Sequence, residues 1–339
     1  KKDQAQEDER FYSPDELRAC CADYPQLIGE ADKILADCSF SFDFKKPKNR
    51  SLFSSSKEDD LALLTKLAYE GLRYRYPRGD REAKARVEKE LRIINELNFN
   101  AYFLITWDII RYARSRGYFH VGRGSGANSI VAYCIGITDV DPVELDLYFE
   151  RFINKHRTSP PDFDIDFSWK DRDEVIDYIF QRFPHATWLC TYSTFQYRAT
   201  VRALGKVFGL PKTEIDQLSH GVFTVDQLDK VASLVLRYTK YIQGLPSHLS
   251  VHSGGIVISE KPMTWFSATF LPPKAYPTTQ FSMMEAEDVG LFKFDVLSQR
   301  GLGKIRECLD VIAYNQPDAQ VHDIHDISFL KQDIAIRTL

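Results

Sequence analysis

Asp162-Phe163-Asp164-Ile165-Asp166-Phe167 alternates an acid with an apolar residue at every step. Side chains of a β-strand leave opposite faces in turn, so this period predicts a strand. Its three carboxylates leave one face, while Phe163, Ile165 and Phe167 leave the other and enter a core. Carboxylates this close repel one another, so a cation is expected among them. Hard divalent ions with oxygen ligands suit such a face, and Mg²⁺ is typical of phosphate chemistry. Two ions side by side can clamp the attacking and leaving oxygens of an in-line displacement. Two other readings compete. Acids at this spacing open a calcium-binding loop, but that loop needs glycine at its sixth position, where Phe167 stands. The other is an exposed acidic strand with no ligand.

Three further stretches bear on phosphate. Gly122-Arg123-Gly124-Ser125-Gly126-Ala127-Asn128-Ser129 follows a predicted strand, Tyr118–Val121, and precedes a predicted helix over 127–135. Glycines in that position leave backbone N–H groups free to cradle phosphate, and Arg123 and Ser125 add donors. The stretch lacks the GK[ST] ending of a P-loop and the glycine spacing of a dinucleotide fold, and taken alone it is a turn. In Phe149-Glu150-Arg151-Phe152, Arg151 is a candidate phosphate contact. In Lys293-Phe294-Asp295, a cation and an acid share a strand face, which fits either a phosphate-and-metal pair or a surface ion pair. Ser125 and Ser129 have no evident histidine partner, so no serine hydrolase is proposed. His252, before Gly254-Gly255, reads as structural, and His322 and His325 as a solvated loop.

The 339 residues suffice for two or three domains, and the formal net charge of −4 argues mildly against a nucleic-acid binder. A basic run from Arg73 to Arg92 offsets that locally. The six cysteines form no CxxC pair and several sit in apolar runs. They read as buried thiols of a reducing compartment, the cytoplasm. No apolar run is long enough to span a membrane. The chain opens on Lys1 and reads as a piece of something longer.

Helices are expected from Ser13-Pro14-Asp15-Glu16, after Tyr24-Pro25, over 59–75, 81–97, 101–116 and 172–183. Gly117 stands where a helix C′ glycine belongs. Residues 45–57 read as a loop, 194–250 as mainly helical with a break at Leu210-Pro211, and 254–300 as strand-rich.

In this order, the glycine turn, Phe149-Glu150-Arg151-Phe152, Pro161-Asp162-Phe163-Asp164-Ile165-Asp166-Phe167 and Lys293-Phe294-Asp295 resemble the alpha subunit of bacterial DNA polymerase III, the C-family replicative polymerase. The likeness extends to Tyr102-Phe103-Leu104-Ile105, Ile137-Thr138-Asp139-Val140-Asp141-Pro142 and His252-Ser253-Gly254-Gly255. It implies an α+β fold: a palm like that of polymerase beta-like nucleotidyltransferases, with a mixed sheet flanked by helices, plus a helical thumb. The domains it implies are the tail of an N-terminal PHP domain (1–31), palm (32–193 and 251–300), thumb (194–250) and the start of the fingers (301–339). The implied catalytic, metal-holding residues are Asp162, Asp164 and Asp295, with Asp166 a supporting neighbour. The implied triphosphate-binding residues are Arg123, Gly124, Ser125, Arg151 and Lys293.

The implied cofactor is a pair of Mg²⁺ ions. The implied partners are primer–template DNA, deoxynucleoside triphosphates and other replisome subunits, with no membrane. The activity expected is templated nucleotidyl transfer to a primer 3′ end in DNA replication, weak or absent in this fragment. Departures from the family pattern point to a divergent, error-prone paralogue as an alternative. They are Asn128 in place of a frequent Gly, Ser298-Gln299 after Asp295, and 201–206 in place of an Arg-Asp pair. A non-catalytic DNA-binding module and a template-independent nucleotidyltransferase are the remaining rivals.

Overall fold

The computed structural model describes residues 10–39, 41–44, 46–154, 162–224, 226, 228–318 and 325. Two compact units are present, Lys1–Phe44 and Lys45–Leu339. The first holds α1 (Pro14–Cys20) and α2 (Gln26–Asp37). Ser13 and Glu16 form the reciprocal cap that the Ser-Pro-Asp-Glu start predicts: each side chain accepts from the other's backbone N–H.

The second unit begins with α3 (Lys57–Arg75), α4 (Arg81–Glu96) and α5 (Asn100–Ser115). Ser56 and Asp80 cap the first two through their side chains. Gly117 ends the α5 segment at φ +72°, a left-handed turn that favours glycine. Much of the basic run is paired with acids. Arg75 pairs with Asp139, Lys84 with Glu88, Arg86 with Glu90, Lys89 with Glu150 and Arg92 with Glu96. Of these, only Arg75 and Arg86 are drawn into the fold, while Lys84, Lys89 and Arg92 pair at the surface.

After β1 (His120–Arg123) the predicted helix over 127–135 splits. A 3₁₀ turn takes Gly124–Asn128, and α6 takes only Ile130–Cys134. Ser129 between them is extended, and its hydroxyl accepts from Ala132 N to start α6. The chain continues through β2 (Asp164–Ser168), α7 (Arg172–Arg182) and β3 (Ala186–Thr194). Then come α8 (Tyr197–Val207), α9 (Lys212–His220) and α10 (Lys230–Ile242). Next are β4 (Pro246–Ile258), β5 (Thr269–Phe270), β6 (Thr278–Thr279), α11 (Met283–Asp288), β7 (Lys293–Gln299) and α12 (Arg300–Asn315).

Among the described residues the strands form one seven-stranded mixed sheet in the order β1-β2-β7-β4-β3-β6-β5. Helices flank it, in keeping with the α+β expectation. Two stretches differ from the sequence reading. Helix occupies only part of 194–250, because Pro246–Val251 pairs with Cys190–Thr194 as a long antiparallel ribbon. The strand-rich stretch 254–300 includes the helix α11. The helices α8 to α10 sit at the end of the ribbon around a small core of Val201, Leu218, Ala232 and Val235.

Cys134 and Cys190 are buried, but Cys20, Cys38 and Cys308 are exposed, so the buried-thiol expectation holds for only part of the set. No helix among the described residues is long and apolar enough to cross a membrane.

The main core lies under β2. Phe163, Ile165 and Phe167 are all but fully buried, as the alternating pattern requires. The Phe163 ring stacks on Tyr102 at 5.5 Å and meets Phe103 and Phe152 edge-on or tilted at 5.1 and 4.9 Å. Phe163→Ala is expected to cost about 3–5 kcal/mol of unfolding free energy in urea titration, from lost burial plus the cavity left behind.

Candidate active site

Register brings the acids together. β1 sets Arg123 opposite Asp164, β2 sets Asp164 beside Asp295 of the parallel β7, and β7 sets Asp295 opposite Gly255 of β4. Directly paired residues face the same side, so these four positions form one row across the sheet. Asp162, just before β2, completes the cluster: one carboxylate oxygen each of Asp162, Asp164 and Asp295 lie within 4.8 Å of one another. Oδ1 of Asp162 and Oδ1 of Asp295 are buried and have no hydrogen-bond partner among the described residues. A buried carboxylate oxygen without a donor is costly, and a cation is the natural remedy.

Two cations hold the acids together. The Lys293 ammonium lies 2.8 Å from Asp162 Oδ2 and also bonds Asp295. Burial pulls its pKa down, but the two carboxylates outweigh burial and the net shift is upward. Arg123 donates to Asp166 at 2.7 Å and to Asp164 at 3.0 Å. The Asp164 pKa is raised, first by burial and then by repulsion from Asp162, against the pull of Arg123. Beneath the cluster, the Tyr102 ring lies between Phe163 and Phe294, and its hydroxyl accepts from Phe163 N at 3.2 Å.

The remaining predicted residues divide. Gly124 has φ +77°, a left-handed conformation that favours glycine, and a Cβ there would stand 2.9 Å from Asp164 Oδ2 and push the carboxylate aside. Ser125 lies in the turn with its carbonyl held by Asn128 Nδ2 at 2.8 Å. Asn128, at a position where the resemblance leads one to expect glycine, thus closes the turn. Arg151 is exposed on the 3₁₀ segment Phe149–Arg151, which packs against the glycine turn. It makes no hydrogen bond or ion pair to the acids among the described residues. His325 does not fit the solvated-loop reading, because it bonds Asp139 at 2.6 Å and stacks on buried His120. His322 lies outside the described residues.

Sequence reading missed Glu90. Its fully buried carboxylate accepts from Ser129 Oγ at 2.8 Å, from Val131 N at 3.2 Å and from Arg86 Nε at 3.2 Å. Arg86 also donates to the Asn128 carbonyl at 2.7 Å. Together they clamp the exit of the glycine turn to α4. The signal was present: Ala83, Val87, Glu90 and Ile94 share one helical stripe, and the other three are apolar.

Residues 62–298 match the family model for the bacterial DNA polymerase III alpha NTPase domain. The chain belongs to this family. Among relatives of the DNA polymerase III alpha family, it is 34% identical over 327 residues to the error-prone DNA polymerase of Symbiobacterium thermophilum, covering 90% of this chain and 30% of that protein. It is also 34% identical over 319 residues to the DNA polymerase III subunit alpha of Bacillus subtilis, covering 88% of this chain and 29% of that protein. The error-prone DNA polymerase of Pseudomonas syringae pv. tomato is 35% identical over 316 residues, covering 87% of this chain and 31% of that protein. The chain thus spans about a third or less of the length of these curated relatives.

Glu90 gives this family member a pH signature. Burial raises its pKa from the ordinary 4.5 to about 7, against the opposing hydrogen bonds from Ser129, Val131 and Ile130 and the charge of Arg86. Between those values the folded chain binds a proton that the unfolded chain has released, so stability falls as pH rises through the window. The change is roughly 3 kcal/mol. Glu90→Gln should flatten this part of the stability curve in urea titrations at pH 4.5 to 7.5.

Proposed function

We propose that the Asp162–Asp164–Asp295 cluster is the nucleotidyl-transfer site of a DNA-directed DNA polymerase. The observation that carries this reading is the convergence of the three carboxylates from two distant segments, with buried oxygens lacking donors and with Lys293 and Arg123 alongside. Oxygen donors of this kind fit hard divalent cations. Asp162, Asp164 and Asp295 would hold two Mg²⁺ ions, which supply Lewis acidity to the reacting oxygens when bound. Asp166, buried and bonded to Arg123, is a neighbour that orients the guanidinium.

In the proposed reaction a primer 3′-hydroxyl attacks the α-phosphate of a deoxynucleoside triphosphate and releases pyrophosphate. The chain's own work is positioning and charge. Arg123, Gly124 and Ser125 flank the acids on the β1 side and receive the triphosphate, with Arg151 reaching in from the adjoining 3₁₀ segment. Lys293 already balances Asp162 and Asp295, and with metal bound its ammonium would be free to turn toward phosphate. The sheet serves as a palm of the polymerase beta-like class. The helical insertion α8 to α10, carried on its ribbon and with its own small core, serves as a thumb that grips duplex.

Relatives named DNA polymerase III subunit alpha and error-prone DNA polymerase match the chain at similar identity, and replicative or error-prone synthesis would use this same site. Since the chain spans about a third or less of those relatives, the isolated 339 residues are expected to extend primers weakly or not at all.

The test is primer extension by the full-length enzyme with Asp164→Asn or Asp295→Asn. Either substitution should lower the rate by roughly a hundredfold or more. Near-normal extension, or DNA binding that ignores both Mg²⁺ and replacement of Asp162, would instead favour a non-catalytic DNA-binding module.

A further inference from the structure

The row of paired residues does not stop at Asp295. Its next member is Gly255 on β4, and the space above Gly255 is filled by the His252 ring. A Cβ on Gly255 would stand 2.8 Å from His252 Nδ1. The imidazole therefore lies on the carboxylate face, one strand beyond Asp295. The charges of Asp295, Lys293 and Asp162 are all felt at the ring.

A bulge makes this possible. Trp188 pairs with Ile256 and Cys190 with Val251, so β3 advances two residues while β4 advances five. The surplus stretch is the His252–Gly255 segment, and a bulge of this kind re-aims a side chain. Its carbonyls are pinned from two sides. Trp188 Nε1 donates to the His252 carbonyl at 2.7 Å, and the buried Arg172 donates to the Ser253 carbonyl and, at 2.8 Å, to the Val296 carbonyl. The ring is pinned too: Nδ1 accepts from Gly255 N at 2.7 Å and from Gly254 N at 3.2 Å. An imidazole whose Nδ1 accepts carries its proton on Nε2. Nε2 has no hydrogen-bond partner among the described residues and is not sealed from solvent. Among the described residues nothing uses this oriented donor, and a substrate beside it would.

The order of the sheet bears on which end of a substrate His252 would meet. In an in-line displacement the attacking and leaving oxygens lie on opposite sides of phosphorus. The glycine turn stands at the β1 end of the row and His252 at the β4 end, with the acids between them. With the triphosphate on the β1 side, the attacking strand end approaches from the β4 side. The same strand β4 runs back from His252 into the ribbon that carries α8 to α10.

We propose that His252 is a primer-contacting residue: its Nε2–H donates to the phosphate of the last internucleotide linkage and holds the 3′-hydroxyl in line. This rests on the polymerase reading above.

The test is single-turnover extension by the full-length polymerase, comparing wild type with His252→Asn and His252→Ala. The primer's last linkage is either phosphate or an uncharged methylphosphonate. Asparagine Oδ1 stands where Nδ1 stood and accepts from the two glycine N–H groups, so His252→Asn keeps the bulge and loses the Nε2 donor. On the phosphate primer both variants should bind primer–template about tenfold or more weakly, with the apparent affinity for incoming nucleotide unchanged. The methylphosphonate should weaken the wild type by a similar factor and the variants little further. Wild-type behaviour of His252→Asn would reduce the ring to a strut for the bulge and overturn the proposal. So would a loss confined to nucleotide affinity, or an equal methylphosphonate penalty in wild type and variants. Failure of the polymerase reading itself would appear separately, as undiminished extension by Asp295→Asn.

Discussion

The parallel pairing of β2 with β7 sets Asp164 directly beside Asp295, and much of the molecule answers the repulsion this creates. Two carboxylates on adjacent strands, with Asp162 a few ångströms away, are unfavourable in a half-buried place unless positive charge is supplied. Lys293 and Arg123 supply it in the folded chain. Neither satisfies the buried Oδ1 atoms of Asp162 and Asp295, so the cluster retains unspent capacity for a cation. Below it, the packed rings of Phe163, Tyr102 and Phe294 keep the strands from moving apart, and this holds the acids in mutual contact.

Support for the site comes from both ends of the residue row. At the β1 end, Arg86 and Glu90 of α4 grip Asn128, Ser129 and Val131, so a turn rich in glycine is nonetheless held at its exit. The energetic cost is a buried carboxylate whose charge is expensive, offset by the donors gathered round it. At the β4 end, Trp188 and Arg172 satisfy the carbonyls of a bulge and Gly255 makes room for an imidazole. Both devices draw on residues far away in the chain.

Much was legible in the sequence. The acid–apolar alternation of 162–167 reported a strand, its buried face and its acidic face, because strand geometry has a period of two whatever surrounds it. Caps and glycines marked helix ends at Ser13 and Gly117, because those signals act within a few residues. Within the basic run, charge composition does not say which cations are drawn into the fold, as Arg75 and Arg86 are by Asp139 and Glu90. The ribbon from Pro246 was also missed, because its pairing partner lies some fifty residues earlier and strand preference depends on that partner.

By itself the sequence determined which side chains could meet on one face: Asp162, Asp164 and Asp166 on their strand, Lys293 and Asp295 on theirs, and the glycines that let the turn approach them. Only the tertiary structure decided that these two strands are neighbours in parallel register, and that one residue of each falls beside the other. It gave the physical reason that Asp166, bound to Arg123, stands apart from the three acids that converge, a division the resemblance had implied. It alone swung His252 onto the same face, because a bulge breaks the alternation by which a sequence can be read. Local periodicity reports which way a side chain leaves its own strand. Which strand lies alongside, and in what register, is set by long-range packing and hydrogen bonding.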